Sequence, residues 1–99
     1  MSYAIRYTKS ARADLIRLFE FLLANDLAAA RRAREAIRRA IGLLSDFPFS
    51  CRKHEAGNPF LRELVVSFGS TGYVALFEID NRKTVTILAI RHQREDDYW

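Results

Sequence analysis

The sequence predicts an α+β domain in which an N-terminal helical hairpin packs on one face of a small antiparallel sheet. Apolar residues recur at helical spacing through positions 11–44, and three β-type segments follow from residue 60 onward. The turns between those segments are short, which makes neighbouring strands antiparallel. With 99 residues, 49% of them hydrophobic, the chain is expected to form a single domain spanning 1–99 in the order β-α-α-β-β-β.

The first strand and first helix come from residues 3–25. Residues 3–8 (YAIRYT) alternate in character and are rich in β-formers, so they predict a short strand. Thr8 or Ser10 can cap the helix that follows, because a hydroxyl accepts a hydrogen bond from a free N–H of the first turn. Apolar positions then follow helical spacing until near Asn25, and Asp26 is a suitable N-cap for the next helix.

The second helix has the clearest pattern in the chain. It ends around Ser45-Asp46, since Pro48 disfavours helical backbone in the residue before it. The break between the helices is short, which predicts an antiparallel hairpin. Arginine and glutamate cover the outer positions, whereas one stripe is apolar and consists of Ala29, Ala33, Ile37, Ala40, Ile41 and Leu44.

The second half of the chain predicts a loop and three strands. Residues 47–59 contain Pro, Gly, Asn and Ser and indicate a loop, and the strands are expected at 60–68, 73–79 and 84–91. A helical hairpin covers only one face of such a sheet, so we expect the other face to be open and to bind a partner. The candidates for that face or its rim are whichever of Arg62, Tyr73, Phe77, Arg91 and the C-terminal tail point that way.

Composition favours an anionic partner. The net charge is +4 and the pI is about 9.6, with thirteen arginines against three lysines. Arginine binds phosphate or carboxylate in a bidentate manner, but a GC-rich genome produces the same bias, so the argument depends on particular arginines. No apolar run approaches the roughly 18 residues that span a bilayer. The N-terminus lacks a signal-peptide core and Cys51 is the only cysteine, so we expect a cytoplasmic protein without membrane association.

Metal and cofactor sites are not expected. His54 and His92 are far apart in sequence, and Cys51 with His54 lacks the second pair that would complete four ligands. No glycine-rich phosphate-binding loop is present. We therefore predict no metal, no cofactor and no small-molecule substrate.

The tail RHQREDDYW, residues 91–99, allows two interpretations. A metal-independent ribonuclease needs proton-transfer groups and cations around the phosphate. Proton transfer is available from His92, Glu95 or Tyr98, and positive charge from Arg52, Lys53, Arg62, Arg91 and Arg94. Alternatively the tail is structural: Glu95 pairs with Arg91 on a helical turn, and Tyr98 and Trp99 pack over a rim of the core.

Taken in order, several segments resemble the RelE/ParE superfamily of bacterial type II toxins, and the chain is most similar to the ParE branch. The segments are AIRYTKSARADL, the Ala/Arg-rich second helix ending in LLSDFP, LRELVV, GYVALFEID and VTILAIRHQREDDY. The resemblance covers nearly the whole chain. It implies a RelE/ParE-like fold, a toxin that arrests growth and stabilises plasmids, and a cognate ParD-like antitoxin whose flexible C-terminal segment binds apolar and basic grooves.

The resemblance also bears on the target. ParE-like members inhibit DNA gyrase and block replication, whereas RelE-like members cut mRNA on the ribosome. The tail RHQRE is similar to the ParE ending, so we predict a gyrase inhibitor that is not an enzyme. Its expected partner-binding residues are Arg62, Tyr73, Phe77, Arg91, His92, Arg94, Glu95, Tyr98 and Trp99. The alternative is a RelE-like ribosome-dependent mRNA endoribonuclease with the catalytic residues Arg62, Arg91, His92 and Tyr98.

Overall fold

The fold consists of two helices packed on a five-stranded mixed sheet. The structure, a computed structural model, describes residues 2–81, 83–95 and 98. Two short 3-10 turns, Leu43–Ser45 and Pro48–Ser50, follow the second helix. The elements are β1 (Ala4–Tyr7), α1 (Lys9–Leu23), α2 (Leu27–Gly42), β2 (Arg52–Lys53), β3 (Leu61–Phe68), β4 (Thr71–Ile79) and β5 (Thr84–His92). The predicted order of helices and main strands is confirmed.

The sheet differs from the prediction in two strands. Its spatial order is β1-β5-β4-β3-β2, and the three long strands pair antiparallel as expected. However, β1 runs parallel to β5, with Ala4 opposite Thr84, so the sheet is mixed. The long connection from β1 to β5 permits this direction, since parallel strands need a long crossover. Within the predicted loop, β2 pairs with β3 and places Arg52 opposite Glu63.

Side-chain caps fix the starts of both helices. Thr8 accepts a hydrogen bond from the Ala11 amide at 3.0 Å, so α1 begins at Lys9 and the choice between Thr8 and Ser10 falls on Thr8. Asp26 accepts one from the Ala29 amide at 3.0 Å, as predicted. No helix among the described residues is long and apolar enough to cross a membrane.

The core lies between the helices and one face of the sheet. Alternate residues of β4 point toward the helices, and cross-strand neighbours share their face. Phe77 is fully buried opposite Ile87, and Tyr73 is 3% exposed. Both residues therefore belong to the core, so these two candidates for the open face do not lie on it. The sequence did not distinguish the two faces of β4 because Val74 and Leu76 are apolar as well.

Side chains of α1 and of its N-cap residue Thr8 form hydrogen bonds with the outer edge of β5 beyond the end of β1. The Thr8 hydroxyl donates to the carbonyl oxygen of Leu88 at 2.9 Å. The Asp14 carboxylate, 5% exposed, accepts a hydrogen bond from the Ile90 amide at 2.8 Å, and an Arg17 nitrogen lies 3.5 Å from the Ile90 oxygen. These bonds replace strand pairing, since a buried backbone amide without a partner is costly. They also fix the position at which the chain leaves β5.

Candidate functional site

The face of the sheet opposite the helices carries a polar cluster. Glu63, Leu76 and Ala89 are cross-strand neighbours on this face, and Arg91 lies on it opposite Val74. Tyr98 lies on the same face, where it contacts Glu63 and Arg91. We call the group formed by Arg52, His54, Glu63, Arg91 and Tyr98 the Glu63 cluster.

Glu63 is the centre of this cluster. Its side chain is 11% exposed, and its carboxylate accepts a hydrogen bond from the Tyr98 hydroxyl at 2.6 Å and from Arg52 Nε at 3.0 Å. His54 Nδ1 lies 3.2 Å from the same carboxylate. Burial alone raises the pKa of Glu63, but the hydrogen bonds from Tyr98 and His54 and the charge of Arg52 together hold it below its usual value. Glu63 is therefore an anion fixed by partners from β2, the following loop and the tail.

Arg91 and Tyr98 hold the tail against the sheet. The Arg91 guanidinium carbon lies 5.1 Å from the centroid of the Tyr98 ring, a cation–π contact. The same side chain donates to the carbonyl oxygen of Glu95 at 2.9 Å. Burial and the bond to Glu63 raise the pKa of Tyr98 far above its usual value. The phenol therefore stays protonated at neutral pH and is a poor general base.

Arg62 lies on the other side of the sheet. It is the cross-strand neighbour of buried Phe77, so it shares the helix-covered face. Its guanidinium donates to the carbonyl oxygens of Pro59 at 2.8 Å, Phe49 at 3.0 Å and Cys51 at 2.7 Å. This side chain fastens the loop before β3, and it does not converge with Arg91 on a common site.

His92 is held in place by two hydrogen bonds. Its Nδ1 accepts the Arg94 amide at 3.1 Å, so the ring proton lies on Nε2 and is donated to the Thr71 hydroxyl, also at 3.1 Å. The ring meets Tyr73 edge-on, with centroids 5.5 Å apart, on the helix-covered side of the sheet. The four residues expected to form a nuclease site are thus divided: Arg91 and Tyr98 are together, whereas Arg62 and His92 are elsewhere.

Glu95 makes structural contacts. The contacts of the Glu95 carboxylate with described residues differ from the expected pair with Arg91, because residues 93–95 leave β5 in a turn rather than a helix. The Glu95 carboxylate instead accepts from Arg17 at 3.1 Å and from the His92 amide at 3.0 Å. Arg94 is exposed. Trp99 lies outside the described residues.

Cysteine and metal chemistry find little support in the described residues. No group of three or more His, Cys, Asp or Glu side chains among them is placed to hold a metal ion. Burial is the main cause that raises the pKa of the Cys51 thiol, and it outweighs the nearby charge of Arg62. A thiol with a raised pKa is a weak nucleophile at neutral pH.

A second candidate surface, which we call the helix groove, lies between α1 and α2. It has a volume of about 530 Å³ and an apolar floor that includes Leu15, Phe19 and Ile37, with Arg34 and Arg38 among its lining residues. Two further apolar lining residues, Ile16 and Leu23, are 59% and 40% exposed. Both residues lie outside the core-facing stripe of α1. Apolar residues at such positions indicate a binding surface, but this groove was not predicted from the sequence.

Comparison with known proteins places this geometry in a family. The family model described as "ParE toxin of type II toxin-antitoxin system, parDE" matches residues 5–97. No match is found among curated protein sequences.

Two solved structures are similar in fold. A chain of the chromosomal ParDE toxin–antitoxin system of P. aeruginosa superposes with a TM-score of 0.74 at 20% identity, over 92% of this chain and 96% of that one. A chain of the RelBE2 toxin–antitoxin complex of Mycobacterium tuberculosis gives a TM-score of 0.61 at 27% identity, over 94% of this chain and 100% of that one. The resemblance predicted from the sequence segments is confirmed, and the chain belongs to the ParE toxin family of type II toxin–antitoxin systems.

Proposed function

We propose that this toxin acts by binding and inhibiting DNA gyrase, and that a ParD-like antitoxin neutralises it. Membership of the ParE family supports the choice of target. The geometry of the sheet supports the choice of mechanism, because the described residues suit a protein contact better than cleavage of RNA.

The observation that carries this proposal is the position of Glu63. A metal-independent ribonuclease stabilises a phosphorane with cations that converge on one point. In this protein the centre of the open face is a carboxylate that already holds Arg52 and Tyr98. Arg62, which with Arg91 was expected to bind the phosphate, lies on the opposite face of the sheet. A phosphate at the Glu63 cluster would meet a fixed negative charge.

Ribosome-dependent RNA cleavage is the second candidate. It is favoured by the likeness to the RelBE2 chain and by the contact between Arg91 and Tyr98, which places one cation beside one hydroxyl group. The phenol of Tyr98 has a raised pKa and donates a hydrogen bond to Glu63, so in this arrangement it is a poor base and a poor acid. The two candidates differ in target and are separable by experiment.

The helix groove is the surface that we assign to the antitoxin. Its apolar floor suits the apolar face of an amphipathic segment, and Arg34 and Arg38 at its edge suit acidic residues of the same segment. Arg38 is also held by Glu35 at 3.1 Å, so it is oriented before binding. Binding in this groove leaves the Glu63 cluster uncovered.

Arg94 is the residue of the tail that we assign to the target contact. It is exposed, and arginine is enriched among the residues that dominate protein interfaces. We expect Arg94→Ala to weaken gyrase inhibition about tenfold, a typical effect for an interface arginine. The matched control is Arg32→Ala, which removes an exposed arginine from α2 and leaves inhibition unchanged. If both variants weaken inhibition equally, the effect comes from the loss of positive charge in general and not from a specific contact of Arg94.

Expression of the chain without antitoxin tests the proposal in cells. Gyrase inhibition predicts a DNA damage response and filamentation while translation continues, since replication is the process that stops. Rapid loss of translation with cleaved mRNA would instead support the RNA-cleaving candidate. Co-expression of the antitoxin is the control and restores growth in either case.

A further inference from the structure

A second pocket lies at the end of the sheet where β3 begins and β4 ends. It has a volume of about 520 Å³, and its walls include the aromatic rings of Tyr3, Phe49 and Phe60. Phe49 and Phe60 are 47% and 51% exposed and meet edge to face, with centroids 6.1 Å apart. Exposed aromatic rings grouped around a concave surface are typical of binding sites.

The pocket is lined by acidic side chains, although the protein as a whole has a positive net charge. The chain carries a net charge of +4, yet the charged side chains among the described residues that line this pocket are Glu78 and Asp80. Their carboxylates are close enough that a hydrogen bond with Asp80, together with burial and its negative charge, raises the pKa of Glu78. A bound cation would relieve this repulsion.

Backbone and side-chain hydrogen bonds preorganise the walls. The Ile79 amide donates to the carbonyl oxygen of Phe60 at 2.8 Å, and the Phe60 amide donates to the Asn58 side chain at 3.0 Å. The Thr86 hydroxyl donates to the carboxylate of Asp80. A preformed site loses less entropy when a ligand binds.

We propose that this pocket binds an organic cation, an ammonium or guanidinium group carried on aliphatic carbon. The charge would face Glu78 and Asp80, and the aliphatic carbon would lie against Phe60 and Tyr3. Phe49 already makes a cation–π contact with Arg62, whose guanidinium carbon is 5.2 Å from the ring centroid. One aromatic ring of this pocket therefore already binds a cationic group of the same chain. The cation is either a small polyamine or a basic side chain of a protein segment. The pocket shares no residue with the helix groove or the Glu63 cluster, so the inference is independent of the proposed function.

Titration of the ¹⁵N-labelled full chain, followed by NMR, tests the proposal. The probes are spermidine and the capped tripeptide Leu-Arg-Leu, with magnesium chloride at matched ionic strength as the control for general charge. We expect saturable shifts confined to residues 58–60 and 78–81. Binding of spermidine alone identifies a polyamine site, and binding of the tripeptide alone or of both identifies a site that accepts a basic side chain.

Variants make the result specific. We expect the double variant Glu78→Gln, Asp80→Asn to weaken binding at least about tenfold, because it removes both attracting charges. Phe60→Ala should weaken it about threefold through loss of the aromatic wall. Glu35→Gln, a carboxylate change on α2, is the matched control and leaves the affinity unchanged. Shifts that do not saturate, that magnesium reproduces, or that persist in the double variant would overturn the proposal.

Discussion

The helix groove and the Glu63 cluster lie on opposite sides of the same sheet and differ in how complete they are. The groove exposes apolar side chains to solvent, with Ile16 59% exposed. The Glu63 cluster is polar and is closed by the chain's own tail, with the Glu63 side chain 11% exposed. An exposed apolar surface gains free energy from a partner, whereas a satisfied polar network gains little. This contrast is why we assign antitoxin binding to the groove and a structural role to the cluster.

A charge placed in the helix groove gives the largest expected effect. We expect Ile16→Asp to weaken antitoxin binding about a hundredfold, because it loses apolar contact area and buries a charge in the interface. The free energy of unfolding should change by less than about 0.5 kcal/mol, since the side chain is mostly exposed. Isothermal titration calorimetry with the antitoxin measures the affinity.

The control for this variant lies on the same helix. Phe21 is 73% exposed and is not among the residues that line the groove. Phe21→Asp should leave antitoxin affinity unchanged. If both variants weaken binding equally, the antitoxin contacts the outer surface of α1 instead of the groove.

Removal of one hydroxyl from the Glu63 cluster gives an intermediate effect. We expect Tyr98→Phe to lower the free energy of unfolding by about 1–2 kcal/mol, because a hydrogen bond to a charged partner is lost. The ring still lies on Arg91, so gyrase inhibition should persist. Chemical denaturation of this variant beside Tyr3→Phe measures the effect. Lost inhibition at unchanged stability would make Tyr98 a target contact and remove the distinction between the two surfaces.

Acid titration of the Glu63 cluster gives the smallest effect. The pKa of Glu63 is lower in the folded chain than its usual value of 4.5. Its contribution to stability is therefore fully present above about pH 5 and is lost as the pH falls through the folded pKa. Between about pH 5 and pH 3 we expect the melting temperature of the wild type to fall more steeply than that of Glu63→Gln. Parallel curves would mean that the cluster does not stabilise the fold.

Local patterns predicted the helices and the antiparallel strands well. The cap at Asp26 and the apolar stripe of the second helix depend on residues that are close in sequence. The cap is found as expected, and Ala33, Ile37, Ile41 and Leu44 of the stripe are buried, whereas Ala30 is buried in place of Ala29. The parallel pairing of β1 depends on a distant strand, so no local pattern specified it. The faces of β4 were ambiguous because apolar residues occupy both, and this misplaced Tyr73 and Phe77.

The site was harder to predict than the fold. Sequence reasoning chose Arg62 in LRELVV and passed over Glu63, its neighbour, although adjacent strand residues face opposite sides of a sheet. The partners of Glu63 come from residues 52–54 and from the tail, far apart in sequence. A cluster formed by such distant segments leaves no local signature. Which arginines share a face of the sheet depends on the register of β3, and this register is known only from the structure.

A supercoiling assay beside an mRNA cleavage assay distinguishes a toxin that binds gyrase from one that cleaves RNA. Purified gyrase is incubated with relaxed plasmid and increasing amounts of the full chain, with and without saturating antitoxin, and the same preparations are added to mRNA on ribosomes. We expect dose-dependent loss of supercoiling that the antitoxin reverses, and intact mRNA. Unchanged supercoiling at concentrations that saturate the antitoxin, together with cleaved mRNA, would contradict this expectation.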